Sequence, residues 1–217
     1  REGVIPYTVT SPLWSDNADK NRWVSVPNDG THDTPEEQVF FSEDDEWQFP
    51  NGSVFIKHFE LSPSPDNPGK NQKVETRFFI IDENGEGYGM TYTWNDEGTD
   101  AVLLSEGGEK FFEIIDEGGQ SKDFRWDYPS SLQCLNCHTP NSGFVLGLKT
   151  WQLNSDLEYP SSGITSNQLA TWNHLGIFAN DFEESAIDTF PQAMSLTDQG
   201  SLQKRVTSYL DANCSHC

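Results

Sequence analysis

The sequence predicts an α+β protein: an antiparallel β sandwich or barrel in residues 1–128, followed by a smaller helical segment in residues 129–217. Up to about residue 128, short runs of β-branched and aromatic residues alternate with Gly, Asn, Asp and Pro, without intervening helical patterns. Beyond Pro129, apolar residues recur at the spacing of helix faces. The joint at Tyr128-Pro129 is the predicted boundary, and the helical segment is expected to continue past residue 217 in the full gene product.

Five segments of the first part are predicted strands. Asn51-Gly52 and Asn84-Gly85 indicate tight turns between them, because Asn and Gly accept positive φ. Because no helical pattern separates these segments, neighbours in the chain are expected to pair in antiparallel fashion. The predicted strands are 23–26, 54–61, 74–81, 88–94 and 110–115.

Three helices are predicted in the second part. The first is short and begins at Ser130 or Ser131, either of which can act as an N-cap. The second spans 165–175, with Ser166 as its cap and Gly176 as its stop. The third spans 201–214. The second helix has an apolar stripe of Leu169, Trp172 and Leu175, and the third has one of Leu202, Val206, Tyr209, Leu210 and Cys214.

Charge and composition exclude several classes of protein. Among 217 residues, 35 are acidic and 13 are Lys or Arg, giving a net charge of −22. Such a charge opposes binding to a phosphate backbone, so no nucleic-acid partner is expected. No apolar run approaches the ~18 residues of a membrane span. Aromatic residues make up 12% of the chain, which excludes a disordered acidic tail.

The four cysteines form two CxxC pairs, and residues 134–138 read C-x-x-C-H, the attachment signature of c-type haem. Thiols at i and i+3 lie on one side of a helical turn, where they can add to the two vinyl groups of a porphyrin. Cys134 and Cys137 are therefore predicted to hold haem c, with His138 as the proximal iron ligand. Such attachment occurs outside the cytoplasm, on the periplasmic side.

The second pair is Cys214 and Cys217, predicted to hold a second haem. Its ligand His would stand at position 218, after Cys217, and His216 is expected to face away from the two cysteines. The chain begins at Arg1 without Met, so we expect a mature periplasmic or extracellular protein after removal of a signal peptide.

Three non-haem interpretations of the cysteines stay open. A four-cysteine zinc site is disfavoured because 76 residues separate Cys137 from Cys214, against roughly 15–20 in common zinc knuckles. Disulfides within or between the pairs are compatible with a secreted protein. A thioredoxin-like redox pair lacks its βαβ context.

Segments across nearly the whole chain carry a resemblance to a known family. They are SPLWSDNADKNRW (11–23), SVFIKHFEL (53–61), ETRFFI (75–80), YTWNDEGTDA (92–101), SLQCLNCHT (131–139), VLGLKTWQLN (145–154), NQLATWNHLGIF (167–178) and YLDANCSHC (209–217). The chain resembles poorly characterised secreted bacterial proteins with two CxxCH-type motifs, generally regarded as c-type cytochromes. The resemblance implies a haem protein whose second motif continues as CxxCH, with further sequence after it. It implies no reaction or substrate.

A six-coordinate haem needs a second axial ligand, which is His or Met in most cytochromes. The predicted distal candidates are His174, His58 and Met90, in that order. His174 lies in the second predicted helix and His58 in the middle of a strand. Met90 follows a strand segment whose glycines allow close approach of a flat group. His32, His216 and Met194 are the remaining His and Met residues.

These observations predict a c-type cytochrome that transfers electrons outside the cytoplasm, rather than a substrate-specific enzyme. Its partner would be a redox protein, either a basic one or another cytochrome, and self-assembly stays open. One alternative is a peroxidase-like haem enzyme with an open distal site. The other is a secreted β module without haem, whose CxxC pairs hold zinc or form disulfides.

Overall fold

A six-stranded antiparallel sheet is the centre of the fold in a computed structural model, which describes residues 3–64, 71–116 and 118–216. The order of the strands in this sheet follows the chain, so each strand pairs with the next. The strands are β1 (Ile5–Tyr7), β2 (Asp19–Ser25), β3 (Val54–Leu61), β4 (Gln72–Ile81), β5 (Gly87–Trp94) and β6 (Ala101–Leu103).

A long hairpin of β7 (Gly108–Ile115) and β8 (Ser121–Tyr128) forms a second layer on this sheet. Phe112, Trp126 and Tyr128 of the hairpin are buried in one cluster with Phe59 and Val74 of the sheet. The Trp126 indole Nε1 donates to Glu75 Oε2 at 2.9 Å, which ties the two layers together. The predicted class, α+β with an antiparallel sandwich-like N-terminal part, is confirmed.

The strand prediction is most accurate for β3, which has the predicted bounds 54–61. The other four predicted strands are present with longer or shifted ends. Strands β1, β6 and β8 were not predicted, nor was the small antiparallel pair β9 (Asp156–Tyr159) and β10 (Ile164–Asn167). Strands β1, β6, β9 and β10 have three or four residues each, too few for an alternating pattern to stand out. Strand β8 has eight residues, but most of them are polar or charged and exposed, so its apolar pattern is weak.

In the described part of the chain, four α-helices follow the sheet: α1 (Ser131–Cys134), α2 (Thr150–Leu153), α3 (Gln168–His174) and α4 (Leu202–Cys214). Ser130, one of the two predicted alternatives, caps α1, and Ser201, predicted as the first residue of the third helix, is the N-cap of α4. Helix α3 begins later than predicted because residues 164–167 form β10, and its cap is Asn167 rather than Ser166. Helix α2 was not predicted.

The main core contains residues from both sides of the predicted boundary at Tyr128-Pro129. Phe55 and Phe79 of the sheet share it with Leu148, Leu169 and Trp172 of the later segment. Leu175, the third residue of the predicted α3 stripe, is exposed instead. The division into 1–128 and 129–217 therefore stays a prediction, and the two segments bury each other's apolar surface.

Within the described ranges, no helix has both the length and the apolar character needed to cross a membrane.

Candidate functional site

The CxxCH segment is folded as one capped turn at the start of the helical part. Gln133 N donates to Ser130 Oγ at 3.3 Å, and Ser130 N donates to Gln133 Oε1 at 2.8 Å, which forms a capping box around α1. The turn then continues, since the backbone N–H groups of Cys137 and His138 both donate to Cys134 O, at 3.3 and 3.0 Å. The two sulfurs and the imidazole are thereby brought to one place.

A cavity of about 460 Å³ lies beside this turn, a size within the ordinary range of small-molecule sites. Cys134, Cys137 and His138 all line it. The sheet forms another wall through β2, β3 and β4, and the end of α4 closes a third side through Ser215 and His216. The predicted attachment residues therefore line the same cavity.

Gly89 on β5 lets α1 lie directly against the sheet. A Cβ at this position would be 2.5 Å from Cys134 Sγ and 2.8 Å from Cys134 Cβ, so a side chain there would overlap the thiol. Burial raises the pKa of the Cys134 thiol, which keeps it protonated. The glycines of β5 were predicted to admit a flat group beside Met90; at Gly89, the close neighbour is Cys134.

The His138 imidazole is held in a defined orientation. Its Nδ1 lies 2.6 Å from Phe144 O, and its ring stacks on that of Phe79 with centroids 4.1 Å apart and planes 20° apart. A carbonyl oxygen can only accept, so Nδ1 carries the hydrogen, and the neutral ring keeps its lone pair on Nε2. This arrangement is typical of metal-bound histidines, whose other nitrogen donates to a carbonyl.

The same surroundings keep His138 neutral. Burial lowers the pKa of His138 from its ordinary 6.5 to about 4. The positive charges of Lys57 and Arg77 and the nearby His216 lower the pKa further, while the bond to Phe144 O opposes the change. A neutral imidazole is the form that binds iron, so the donor set of two thiols and one imidazole fits a c-type haem.

Three basic side chains of the sheet wall were missed at the sequence level. Arg22 on β2, Lys57 on β3 and Arg77 on β4 are direct cross-strand partners, and all three line the cavity. We call them the cation row. A detectable signal existed, because basic residues are scarce in this acidic chain and these three lie within predicted strands or next to one. Their alignment depended on a strand register that the sequence does not show.

The second CxxC pair is less enclosed. Cys214 is the last residue of α4, is exposed, and does not line the cavity, whereas His216 does. Cys217 lies outside the described residues. The sulfurs of Cys134, Cys137 and Cys214 are free of disulfide bonds. Among the residues with described positions, no group of three or more His, Cys, Asp or Glu could hold a metal ion, so these residues offer no zinc cluster.

None of the three ranked distal candidates lines the cavity. His174 is exposed at the end of α3. His58 follows Lys57, which lines the cavity, and alternation along β3 turns the two side chains to opposite faces of the sheet. On its own face, His58 Nδ1 pairs with Thr76 Oγ1 at 2.7 Å and its ring lies edge-on to Trp94. Met90 lies on β5, and no residue of that strand lines the cavity. His216 is the histidine, besides His138, that the structure brings to the cavity.

Comparison with known proteins adds no relative: no family of proteins, no curated protein and no solved structure matches the chain.

Proposed function

We propose that this protein is a c-type cytochrome that carries electrons outside the cytoplasm, with haem attached at Cys134 and Cys137 and ligated by His138. The observation that carries the proposal is the state of His138. Its Nδ1 is committed to Phe144 O, so Nε2 is the nitrogen left to bind a metal, and both thiols line the same cavity. The CxxCH spacing and the resemblance to secreted cytochromes support the same assignment.

Each residue of the site has a separate task in this proposal. Haem bound here would supply a one-electron Fe(III)/Fe(II) couple. Cys134 and Cys137 hold the group in place, and His138 ligates its iron. Phe144 O orients the imidazole and raises its basicity, and the stacked Phe79 ring keeps it from rotating. The cavity walls would keep water away from the haem, and this burial helps to set the reduction potential of the haem.

The second pair, Cys214 and Cys217, is proposed to hold a second haem. Cys214 stands two residues from His216, so a group attached there would lie beside the first site. Two neighbouring haems would form a path for electrons to a partner. The net charge of −22 is expected to steer a basic redox protein at low salt, with an association rate that falls as salt rises.

A haem enzyme with an open distal side is the second candidate. One observation favours it: His174, His58 and Met90 do not line the cavity, so none of these three stands ready as a sixth ligand. An open iron site would be high-spin and would bind small molecules, whereas a six-coordinate site would be low-spin. The optical spectrum of the purified protein separates the two.

The experiment that tests the proposal is a pyridine haemochrome assay paired with intact mass, on the protein exported in a host that attaches haem c. We expect one or two haems per chain and a matching increase in mass. A colourless protein with the bare mass of the chain would contradict the proposal.

A further inference from the structure

The cation row is unusual because a strongly acidic protein places three of its 13 basic residues side by side on one wall. Arg22 is directly opposite Lys57, and Lys57 is directly opposite Arg77. Cβ atoms of directly opposed residues are about 4.5–5.5 Å apart, and like charges at this distance destabilise a sheet. Because this repulsion lowers the stability of the sheet, we expect a negatively charged group nearby to offset it.

Arg77 has such a partner. Its Nε and one terminal nitrogen donate to the two carboxylate oxygens of Glu75, at 2.6 and 2.9 Å, and Glu75 is fully buried. The charge of Arg77 is therefore balanced inside the sheet. The other two members of the row are not balanced in this way.

Arg22 and Lys57 form no ion pair within the described ranges. Arg22 is only 9% exposed, and its terminal nitrogen reaches a neutral acceptor, Lys20 O, at 3.3 Å. The Lys57 ammonium lies 5.0 Å from the Phe59 ring centroid. Burial, together with the charges of Arg22 and Arg77, lowers the pKa of Lys57 well below its ordinary value. Both basic side chains thus line the cavity without an ion-pair partner among the described residues, and a carboxylate placed beside Lys57 would favour its protonated form.

The acidic side chains at the cavity are already engaged elsewhere. Glu46 and Asp211 line it, and the Lys149 ammonium lies 2.9 Å from one and 3.0 Å from the other. Lys149 therefore balances one of these two negative charges and holds both carboxylates in ion pairs. Among the described residues, the basic side chains of the cavity that lack a carboxylate partner are Arg22 and Lys57.

We propose that the cation row binds the carboxylate groups of the ligand that fills this cavity. The inference rests on the proposed function, under which these carboxylates are the two propionates of the haem held by Cys134 and Cys137. Arginine binds a carboxylate through paired N–H groups and lysine binds it as a point charge, so the row offers both modes. The same contacts would raise the potential of the haem, since positive charge nearby favours Fe(II).

The first test measures the midpoint potential of the haem-loaded protein and its variants. Lys57→Gln and Arg22→Gln are each expected to shift the equilibrium towards Fe(III) by about tenfold, which for one electron is ~59 mV. Lys57→Arg keeps the charge and should keep the potential. Lys122→Gln and Arg125→Gln remove exposed charges of the outer hairpin and serve as matched controls.

Haem-loaded variants with the wild-type potential would overturn the inference and leave the proposed function standing. A colourless wild-type protein would remove the proposed function, and the propionate assignment with it. Loss of haem from Lys57→Gln but not from Lys57→Arg would support the inference, because the charge would then be needed for loading.

A second test needs no variant and so does not depend on their folding. The full chain, made without haem attachment, is titrated with haemin and with haemin dimethyl ester, in which the carboxylates are blocked. We expect haemin to bind at least about tenfold more tightly. Equal affinities would overturn the inference. Inorganic phosphate tests whether the cation row is a free anion site when haem is bound. If phosphate raised the melting temperature of the haem-loaded protein but not that of its Arg22→Gln and Lys57→Gln variants, these residues would be free to bind it. That result would also overturn the inference.

Discussion

The two CxxC pairs have the same cysteine spacing, and each begins at the last residue of a helix with a serine N-cap, yet their surroundings differ. Cys134 lies against Gly89 of the central sheet, and the following His138 is stacked on Phe79. Cys214 ends a helix whose apolar residues are largely exposed, and its side chain is exposed as well. The difference shows that the cysteine spacing alone does not create a cavity. The first pair lines one because distant parts of the chain pack around it.

The largest effect on stability is expected at Phe79, whose ring stacks on His138 beside the first CxxC pair. Phe79→Ala removes a buried ring and the surface on which His138 stacks, so the free energy of unfolding should fall by about 3–5 kcal/mol. Phe111→Ala is the control, because that ring is 58% exposed on the hairpin, and it should change stability by less than about 0.5 kcal/mol. Urea denaturation at pH 7 measures both, and equal effects would contradict the account.

The next largest effect is a loss of folding stability at low pH. In the chain without haem, the pKa of His138 is about 4 when folded and about 6.5 when unfolded, so the unfolded state takes up the proton first. The contribution of neutral His138 to stability is complete above pH 6.5 and is lost as the pH falls to 4. The loss is about 3 kcal/mol.

Urea denaturation across this pH range checks the prediction by difference. His138→Gln should flatten the dependence between pH 6.5 and 4, because the titrating group is gone. His174→Gln controls for replacing a histidine as such. A wild-type protein and a His138→Gln variant with parallel curves would contradict a buried neutral imidazole.

A smaller effect tests the close approach of α1 to the sheet. Gly89→Ala places a Cβ 2.5 Å from Cys134 Sγ, and such overpacking should cost about 1–3 kcal/mol and lower the haem content. Gly108→Ala is the matched strand glycine, whose Cβ would be 3.4 Å from Leu104 Cδ2, an ordinary contact. Thermal denaturation and haem absorbance of the two variants should differ; full haem content in Gly89→Ala would be the contrary result.

The smallest effect should be the same at both pairs. Ser130 and Ser201 each accept a backbone N–H at the start of the helix before a cysteine pair, so Ser130→Ala and Ser201→Ala should each cost about 1 kcal/mol. Chemical denaturation of the two variants side by side measures this. A several-fold difference would mean that the local turns themselves, and not only their surroundings, distinguish the pairs.

Local features of this protein could be predicted from its sequence. The strand at 54–61 is flanked by clear turn signals, the cap at Ser130 depends on its own helix, and the C-x-x-C-H spacing is a local pattern. Each of these depends on residues a few positions apart. Their physical causes are contained within the segments themselves.

Features that join distant segments could not be predicted. The alignment of Arg22 with Lys57 requires the register between two strands, and the fit of Gly89 against Cys134 requires the packing of a helix on a sheet. His58 was ranked as a distal ligand because an isolated strand does not reveal which face the helical segment covers. His216 was expected to face away from its cysteines, and only the position of α4 shows that it reaches the cavity.

The most direct test of the account is to map haem onto the chain by protease digestion and mass spectrometry, in the wild type and in Cys134→Ser, Cys137→Ser and Cys214→Ser. We predict haem on the peptide that contains residues 134–138, lost or weakened in the first two variants and retained there in Cys214→Ser. A peptide 134–138 without haem in a protein that carries haem elsewhere, or a protein without haem, would contradict the account.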